Sequence, residues 1–360
     1  MESEIIDLAG EELNLNSSQQ LAVILFDKLK LPMIKKRSTA EAVLSELKDK
    51  HPLPELILSY RKLYKLKNTY LDPLPSYIIA DTQRVHSSFN QTMTATGRLS
   101  TSSPNFQNIP IRTEDGKEIR KAIKAQSNEY QIFSADYSQV ELRVMAHLSG
   151  DESLISALNN GEDIHTFTAK NIFNVDNDDM VLPEMRRIAK IVNFGIMYGA
   201  GPFRLSQELD IPFGEAKQIK DAYFEKYQGI EQYIENSKLQ IKETKSVETL
   251  LGRKRAVWDS DSQNKIRRDA AERMAINMPI QGTAAEMIKL AMIKIHRQIN
   301  KENLKSKLIM QIHDELLLEV HQDEIDYISK MVIEHMRDAM KLDVPIEIDF
   351  GVGPSWYEAH

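Results

Sequence analysis

The β-type segments of this 360-residue chain are few, and they run directly into acidic residues. Residues Gln131 to Ala135 form an apolar run that predicts a strand, and Asp136 follows it. Near the end of the chain, Leu308 to Ile312 and Leu316 to Val320 predict a hairpin with His313-Asp314-Glu315 at its tip. A buried carboxylate is costly without a partner. The fold must therefore either bring these acids to a shared partner or leave them in exposed turns.

Helical patterns dominate the rest of the chain. Apolar residues recur at helical spacing up to about residue 76, and residues 150 to about 245 are again mostly helical. Another long helix is predicted from about residue 256, with an interruption and a kink at Pro279. Helices therefore predominate, with a few strands that are separated in sequence.

Two capping boxes predict where helices of the first region begin. They pair Ser17 with Gln20 and Ser38 with Glu41. The proline-rich segment Asp72-Pro73-Leu74-Pro75-Ser76 ends this region, because proline disfavours helix at the preceding residue.

Composition excludes several kinds of protein. With no cysteine, the chain has no disulfides, thiolate metal sites, iron–sulfur clusters or cysteine nucleophiles. No stretch approaches the roughly 18 apolar residues of a membrane span, and residues 1 to 4 do not resemble a signal peptide. A cytoplasmic protein with no membrane partner is expected.

The net charge of −7 is unevenly distributed. Residues 314 to 360 carry −9, so residues 1 to 313 carry +2, and residues 27 to 67 carry a local +6. A basic run is often only a solvated helix face. It is also what binding to nucleic-acid phosphates requires, so the overall acidity does not exclude nucleic acid.

Asp136 and Asp314 together suggest a shared cation. Hard divalent ions such as Mg²⁺ bind oxygen ligands, and two carboxylates with substrate phosphates make a plausible site. A pair of such ions is the recurrent device for displacement at phosphorus. The alternative is that each acid is an ordinary turn residue, and sequence spacing alone does not show that the two meet.

A second group of candidate binding residues recurs every four residues. Arg186, Lys190, Phe194 and Tyr198 would form one slanting stripe on a helix. Two cations followed by two aromatic rings suit a nucleoside triphosphate, with the cations on its phosphates. The alternative is a solvated basic end that leads into an apolar core face.

Five blocks of the sequence resemble those of the bacterial family A DNA polymerases, the DNA polymerase I family. They occur in the family's order and span nearly the whole chain. Asp136 to Arg143 resembles motif A, Arg186 to Gly199 motif B on the fingers "O" helix, and Gln311 to Glu315 motif C, while Thr94 to Ser100 and Asn277 to Ala284 resemble two further blocks.

The resemblance implies an α+β right-hand polymerase with a thumb, a palm built on an antiparallel sheet, and helical fingers. Residues 1–76 would be a shortened helical thumb, 77–149 the first part of the palm with motif A, 150–257 the fingers, and 258–360 the second part of the palm with motif C. The implied activity is that of a DNA-directed DNA polymerase, in which a primer 3′-hydroxyl attacks the α-phosphate of a deoxynucleoside triphosphate. Proofreading and 5′ nuclease domains are expected to be lacking.

The resemblance also implies a catalytic set. Asp136, Asp314 and the backbone carbonyl of Tyr137 would hold two Mg²⁺ ions, for which Mn²⁺ can substitute. Glu315 would be a supporting acid, and Lys190 a general acid for the leaving pyrophosphate.

The resemblance also implies a set of nucleotide-binding residues. Some would contact the phosphates, one would stack on the nucleotide, and two would fill the space of a ribose 2′-hydroxyl so that deoxynucleotides are favoured. In that order its members are Arg186, Lys190 and His165 on the phosphates, Phe194 in the stack, and Glu141 with Tyr198 at the sugar, with Gln139 alongside.

Primer–template DNA is the implied partner of a monomeric enzyme, which would be associated with the nucleoid in a bacterium. Minor-groove contacts suit a polymerase because they report base-pair geometry rather than sequence. The implied contacts are Arg98, Arg273, Asn277, Gln281 and His313 on the primer terminus and first base pairs, and Arg61 and Lys65 on the duplex backbone.

Two other functions stay open. A single-subunit RNA polymerase would share the two-metal palm, although the Glu141 and Tyr198 pair argues against ribonucleotides. A DNA-binding remnant with little catalytic activity is the other, because the thumb is short between Ile34 and Ser38, where Lys35-Lys36-Arg37 is the basic segment left.

Overall fold

The structure, a computed structural model, describes residues 1–109 and 114–360. It divides into two compact units. The first comprises Met1–Ser87 and Ile109–Ile119, and the second comprises Ser88–Asn108 and Arg120–His360. The candidate acids all belong to the second unit.

The first unit is mainly helical, as its sequence pattern predicts. Its core is formed by apolar side chains at helical spacing, including fully buried Leu21, Leu25, Leu44 and Leu53. Its helices are α1 (Glu2–Ala9), α2 (Ser18–Ala22), α3 (Glu41–Leu47), α4 (Pro52–Leu66) and α5 (Glu114–Glu118), with π-helical turns at Val23–Lys28 and Lys67–Leu71, a 3₁₀ turn at Leu74–Tyr77, and a hairpin of β1 (Ile78–Ile79) and β2 (Arg84–Val85).

The two predicted capping boxes have different outcomes. Ser17 caps α2 and accepts a hydrogen bond from the Gln20 backbone amide at 3.3 Å, as predicted, but the Gln20 side chain accepts from the Asn14 amide at 2.7 Å and not from Ser17. The box at Ser38 is wrong, because the residue that precedes α3 is Ala40. Ser38 instead accepts a bond from the Ala40 amide at 3.2 Å, so its hydroxyl stabilises a turn outside the helix.

The second unit combines helices with one four-stranded sheet and two small hairpins. Helices fill residues 150 to 245, as predicted. Its elements are β3 (Ser88–Asn90), β4 (Ser100–Ser102), β5 (Tyr130–Tyr137), α6 (Val140–Ser149), α7 (Glu152–Asn159), α8 (Ile164–Phe173), α9 (Pro183–Met197), α10 (Pro202–Leu209), α11 (Phe213–Lys226), α12 (Gln228–Thr244), β6 (Ser246–Glu248), β7 (Lys254–Ala256), α13 (Lys265–Lys301), β8 (Lys307–Ile312), β9 (Glu315–His321), α14 (Ile325–Arg337), β10 (Ile348–Gly353) and α15 (Trp356–Ala359), with 3₁₀ turns at Phe106–Asn108, Asp178–Met180, Trp258–Asp261 and Gln322–Glu324, and a further 3₁₀ turn, Ile119–Ala122, at the boundary of the two units.

The sheet has the strand order β10-β5-β9-β8, and every neighbouring pair is antiparallel. The predicted hairpin is formed by β8 and β9, but Glu315 does not lie at its tip. It is the first residue of β9 and is 5% exposed, so only His313 and Asp314 form the turn. His313 adopts a positive φ of 53°, which reverses the chain in two residues.

Helix α13 differs from its prediction. It begins at Lys265, where Asn264 accepts the Ile266 amide at 2.9 Å, because a separate 3₁₀ turn occupies residues 258 to 261. It also continues through Pro279 instead of being interrupted there. Pro279 and most residues around it are buried, so packing on neighbouring elements offsets the lost backbone hydrogen bond.

Candidate active site

The sheet brings the predicted acids together. Strand β5 pairs with β9 so that Asp136 lies opposite Glu315, and the Tyr137 amide donates to the Asp314 carbonyl at 3.2 Å. Burial, reinforced by the negative charges of Glu315 and Asp314, raises the pKa of Asp136 to about 7. Asp136 is therefore close enough to Glu315 and Asp314 to be repelled by both, and a bound cation would offset that repulsion.

The acids do not by themselves complete a metal site. Across residues 1–109 and 114–360 there is no preassembled group of three or more His, Asp or Glu side chains suited to a metal. Two aspartates would need further oxygens from the backbone and from substrate phosphates, which is the usual way in which Mg²⁺ binds. The donor set consists of hard oxygens and fits Mg²⁺.

Glu315 is held by three donors that all point at its Oε1 atom. Ser134 Oγ lies 2.6 Å away, the Trp356 indole Nε1 2.7 Å, and the His360 ring Nδ1 3.2 Å. Burial raises the pKa of Glu315, but the hydrogen bonds from His360 and Ser134 outweigh burial and lower it overall. Glu315 therefore carries a fixed negative charge beside Asp136.

Sequence reasoning missed all three of these donors. Ser134 lies two residues before Asp136 on β5, hence on the same face of the strand, and alternation could have identified it. Trp356 begins the last helix, His360 follows its end, and neither residue gave a local signal. Buried Arg120, whose guanidinium lies 4.3 Å over the Trp356 ring, was missed for the same reason.

Arg98 lies among the acids. Its guanidinium donates to Glu141 Oε1 at 2.6 Å and lies 3.5 Å from Asp314 Oδ1. Lys289 donates a hydrogen bond to the Gly97 carbonyl and so holds the loop that carries Arg98. The structure thus assembles Arg98 with the acids in the free chain, and its predicted contact with a primer stays a prediction.

Glu141 and Tyr198 form the predicted pair. The Tyr198 hydroxyl donates to Glu141, which links α6 to the end of α9. Burial raises the pKa of both groups, and the charge of Arg98 partly offsets this effect at Glu141. The pair is a filled, hydrogen-bonded volume beside Asp314, which suits it to exclude a hydroxyl group. Gln139 stands at the start of α6 with a positive φ of 52°, where the chain turns from β5 into the helix.

Helix α9 carries the predicted stripe. Arg186 is exposed and forms a two-point ion pair with Asp163, with distances of 2.6 and 3.2 Å. Lys190 is exposed and has no ion-pair partner within the described residues. Phe194 and Tyr198 are half-buried, and their ring centroids lie 6.3 Å apart. In the free chain the cationic end of the stripe is solvated and its aromatic end packs on the core, as the alternative interpretation predicts, and the nucleotide-binding role of the stripe stays a prediction.

His165 lies next to this stripe, but it is buried. Its Nδ1 lies 3.1 Å from Asn193 Nδ2, its ring lies 5.8 Å from Phe194, and it is 2% exposed. Burial lowers the pKa of His165 to about 4. At neutral pH the ring is uncharged, so any contact with a phosphate would use a neutral N–H group.

Arg273, Asn277 and Gln281 share one face of α13, because they are spaced by four residues. Asn277 Nδ2 lies 3.5 Å from the Tyr198 carbonyl, whereas its Oδ1 is buried and has no hydrogen-bond partner among residues 1–109 and 114–360. A methyl group on Gly199 would lie 3.0 Å from Arg273 Cγ, so glycine allows the end of α9 to approach this face. An unpartnered buried oxygen marks a place for a ligand donor.

The other predicted DNA contacts lie on separate elements of the fold. His313 is exposed at the hairpin turn, and its Nε2 lies 3.0 Å from the Gln107 carbonyl. Arg61 and Lys65 belong to α4 of the first unit. Lys65 is exposed, but Arg61 is half-buried and donates to the Thr39 carbonyl and hydroxyl, so it also holds the chain before α3.

Comparisons with known proteins agree on one family. The family described as DNA polymerase family A matches residues 1–358. The chain is 47% identical over 362 residues to DNA polymerase I of Bacillus subtilis, covering 99% of this chain and 41% of that protein. It is 47% identical over 365 residues to the thermostable DNA polymerase I of Thermus aquaticus, covering 100% of this chain and 43% of that one.

A solved structure is similar over almost the whole chain. It is the POL domain of Pol1 from M. smegmatis in complex with DNA primer-template and dNTP, with a TM-score of 0.93 and 42% identity. The match covers 99% of this chain and 64% of that one. The chain spans less than half the length of the curated relatives that it matches.

Proposed function

Because this chain belongs to DNA polymerase family A, we propose that it is a DNA-directed DNA polymerase, which extends a DNA primer with deoxynucleotides. Its fold is the α+β fold of a polymerase domain. The observation that carries the proposal is the convergence of Asp136, Asp314 and Glu315 at one end of the sheet, beside the Glu141 and Tyr198 pair. The similar M. smegmatis domain, which was solved with primer-template and dNTP, supports both substrates.

Asp136, Asp314 and the Tyr137 carbonyl would hold the two Mg²⁺ ions, with Mn²⁺ as a substitute. The electrostatics of the acids support this, because half-buried Asp136 carries the repulsion of two neighbouring carboxylates. When bound, such ions supply positive charge to an attacking and a leaving oxygen. The chain itself fixes Glu315 on three donors, so that this charge stays in place beside the aspartates.

Arg186 and Lys190 would bind the triphosphate. Lys190 supports this most directly, since it is an exposed cation without an ion-pair partner in the described part of the chain. Arg186 is paired with Asp163, but an exposed ion pair contributes little, and a triphosphate can compete for it. Phe194 is half-buried and leaves part of its ring for a nucleotide.

Glu141 with Tyr198 would select deoxynucleotides by occupying the place of a 2′-hydroxyl. Beyond them, Arg273, Asn277 and Gln281 would follow the duplex, and the unpartnered Asn277 Oδ1 supports a polar contact there. Arg98 and His313 on the primer side, and Arg61 with Lys65 on the backbone, complete the proposed contacts.

The thumb, palm and fingers boundaries at residues 76, 149 and 257 remain predictions. That the chain acts as a monomer is part of this proposal. No helix in the described ranges, 1–109 and 114–360, is long and apolar enough to cross a membrane. A cytoplasmic, nucleoid-associated location follows from the proposed DNA substrate and is part of the same proposal.

Primer extension tests the proposal. A labelled DNA primer on a DNA template, supplied with Mg²⁺ and either deoxy- or ribonucleotides, should be extended to a complementary copy with a strong preference for deoxynucleotides. Equal use of ribonucleotides would favour a single-subunit RNA polymerase. Binding of primer–template without extension, by a chain with a folded circular dichroism spectrum, would favour a DNA-binding remnant.

A further inference from the structure

A chain of buried hydrogen bonds leads to His165, and the proposed function assigns a role only to its last member. It runs from Tyr227 through Thr168 and Asn193 to His165, and each of these four side chains is at most 2% exposed. Tyr227 lies between α11 and α12, Thr168 and His165 lie on α8, and Asn193 lies on α9. A buried donor without an acceptor is costly, so the direction of each bond can be worked out.

The phenol of Tyr227 sets the direction of the first bond. Its oxygen lies 2.8 Å from Thr168 Oγ1, the one hydrogen-bond partner that it has among residues 1–109 and 114–360. Burial raises the pKa of Tyr227, so the phenol keeps its proton at neutral pH. That proton needs an acceptor, and Thr168 Oγ1 provides it.

The next two bonds follow from the first. Thr168 Oγ1 accepts from Tyr227 and has one proton of its own, which it donates to Asn193 Oδ1 at 3.2 Å. The Asn193 carbonyl is therefore held toward Thr168, and its Nδ2 group faces His165 Nδ1 at 3.1 Å. An amide nitrogen donates and does not accept, so His165 Nδ1 is the acceptor and carries no proton.

The proton of the His165 ring is therefore on Nε2. The ring is neutral at pH 7, because burial lowers the pKa of His165 to about 4, and a neutral imidazole has one N–H group. Nε2 has no hydrogen-bond partner in the described part of the chain. The charged groups that act on the ring are Asp163 at the start of α8, and Arg186 and Lys190 on α9. A triphosphate held by these two cations would thus meet an N–H donor that no other bond has used.

We propose that Asn193 is a positioning residue, which keeps the ring proton of His165 on Nε2 and so makes that nitrogen a hydrogen-bond donor to the triphosphate. Thr168 and Tyr227 act one step further away, because they fix which end of the Asn193 side chain faces the ring. The inference rests on the proposed polymerase function. It explains how a buried, neutral histidine contributes to binding an anion, since the placement of its proton and not a positive charge supplies the bond.

The first experiment observes the tautomer of His165 directly by ¹⁵N nuclear magnetic resonance. In a chain labelled with ¹⁵N-histidine, the ring signals of His165 are identified by their absence from His165→Gln. At pH 7.5 the wild type should show a protonated Nε2 and an unprotonated Nδ1. In Asn193→Asp the introduced carboxylate can only accept, so Nδ1 should become protonated. A proton on Nδ1 in the wild type would overturn the inference without any substrate.

Thr168 offers a milder pair of variants, which also serves if the buried charge of Asn193→Asp prevents folding. Thr168→Val removes the hydroxyl but retains the shape of the side chain, so Asn193 should adopt both orientations and the ring should show both tautomers. Thr168→Ser restores the hydroxyl and should restore the single tautomer. Ser237→Ala is the matched control, because it removes another buried hydroxyl, which donates to the Tyr233 carbonyl at 2.7 Å. It should leave the tautomer unchanged.

The second experiment measures binding of a deoxynucleoside triphosphate to the chain on a primer–template whose primer lacks a 3′-hydroxyl. At pH 8.5, Asn193→Asp should weaken this binding at least tenfold relative to wild type, about the effect of losing one hydrogen bond to a charged acceptor. At pH 6 the deficit should become smaller, since the introduced carboxylate favours a doubly protonated ring and Nε2 then donates again.

His165→Gln is the control for this dependence on pH. It has no ring to titrate at this position, so its deficit relative to wild type should be the same at both pH values. A deficit in Asn193→Asp that is also the same at both pH values would assign it to the added charge or to lost packing, and would overturn the inference.

The outcomes separate the role of Asn193 from the proposed function. A chain that extends primers, and in which Asn193→Asp and Thr168→Val change neither the tautomer nor the nucleotide affinity, overturns the role of Asn193 alone. A chain that binds primer–template but no deoxynucleotide overturns the proposed function, and the role of His165 Nε2 with it. A tautomer that changes in both variants, together with the pH-dependent deficit, establishes Asn193 as the positioning residue.

Discussion

The two ends of the candidate site are built differently. The acid end (Asp136, Asp314 and Glu315) lies on the paired strands β5 and β9 and in the turn before β9. It is at least partly buried, and Asp136 is repelled by the other two carboxylates. The cation end (Arg186 and Lys190) lies on one exposed helix face, with its charges in water. The acid end is therefore organised before any ligand arrives but is electrostatically strained, whereas the cation end is unstrained, with Arg186 paired to Asp163 and Lys190 in water.

The largest effect expected at the cation end comes from removing Lys190. Lys190→Ala should lower single-turnover primer extension about 10²- to 10³-fold, because the variant loses the proposed proton donor and a phosphate contact. Affinity for primer–template should be retained. Arg187→Ala is the matched control, since Arg187 pairs with Glu184 at 2.8 Å and lies off the stripe. An equal loss in both variants would assign the effect to the helix and not to Lys190.

The next effect concerns pH at the cation end. His165 is buried with a pKa lowered from 6.5 to about 4, so the unfolded chain takes up its proton first as the pH falls. Above pH 6.5 the ring is neutral in both states and does not reduce the free energy of unfolding. Between about pH 6.5 and 4 that free energy falls by roughly 3 kcal/mol, because the unfolded chain alone binds the proton. Denaturant unfolding of wild type and His165→Gln should diverge across this window, whereas exposed His296→Gln should follow wild type. Parallel curves for wild type and His165→Gln would contradict the buried, neutral ring.

A smaller effect is expected at Glu141, which lies between the acid end and the cation end and is proposed to select deoxynucleotides. Glu141→Ala should raise incorporation of ribonucleotides relative to deoxynucleotides about 10- to 100-fold, because it opens the volume that Glu141 fills beside Tyr198. Glu141→Gln keeps that volume and should change the ratio less. If the two variants behave alike, the carboxylate charge and not the filled space sets the preference.

The smallest effect concerns the acid end without substrate. Adding Mg²⁺ to the free chain should raise its melting temperature by about 2 °C, since an ion at about ten times its Kd stabilises the folded state by about 1.4 kcal/mol. Asp136→Asn should remove this dependence on Mg²⁺. Asp323→Asn, at an exposed acid in a surface turn, is the control and should keep it. An unchanged Mg²⁺ response in Asp136→Asn would place the ion elsewhere.

Sequence predicted the local parts of this site well. The strand before Asp136, the hairpin at Asp314 and the helix of the α9 stripe follow from periodicity, which depends on neighbouring residues. That Asp136 and Asp314 lie together could not be derived from spacing, because 178 residues separate them, and it entered only through the resemblance. Secondary structure could be predicted because it depends on neighbouring residues, whereas the site depends on the pairing of strands that are far apart in sequence.

Three failures share a physical cause. The helix through Pro279, the buried position of Glu315, and the donors from Trp356 and His360 all depend on packing between distant segments. Tertiary contacts outweighed the local preference of proline to break a helix and of a carboxylate to remain in solvent. The wrong cap at Ser38 is the exception, because its cause is local. The Ser38 hydroxyl accepts a hydrogen bond from the Ala40 amide instead of capping a helix.

The most direct test of the account measures the acid end itself. Single-turnover extension and primer–template affinity should be determined for the wild-type chain, Asp136→Ala, Asp314→Ala and the control Asp323→Ala. The account predicts that extension is lost in both site variants, that the control extends normally, and that all four chains bind primer–template with similar affinity. Extension that persists in either site variant would contradict the assignment of Asp136 and Asp314 as the acids of the reaction.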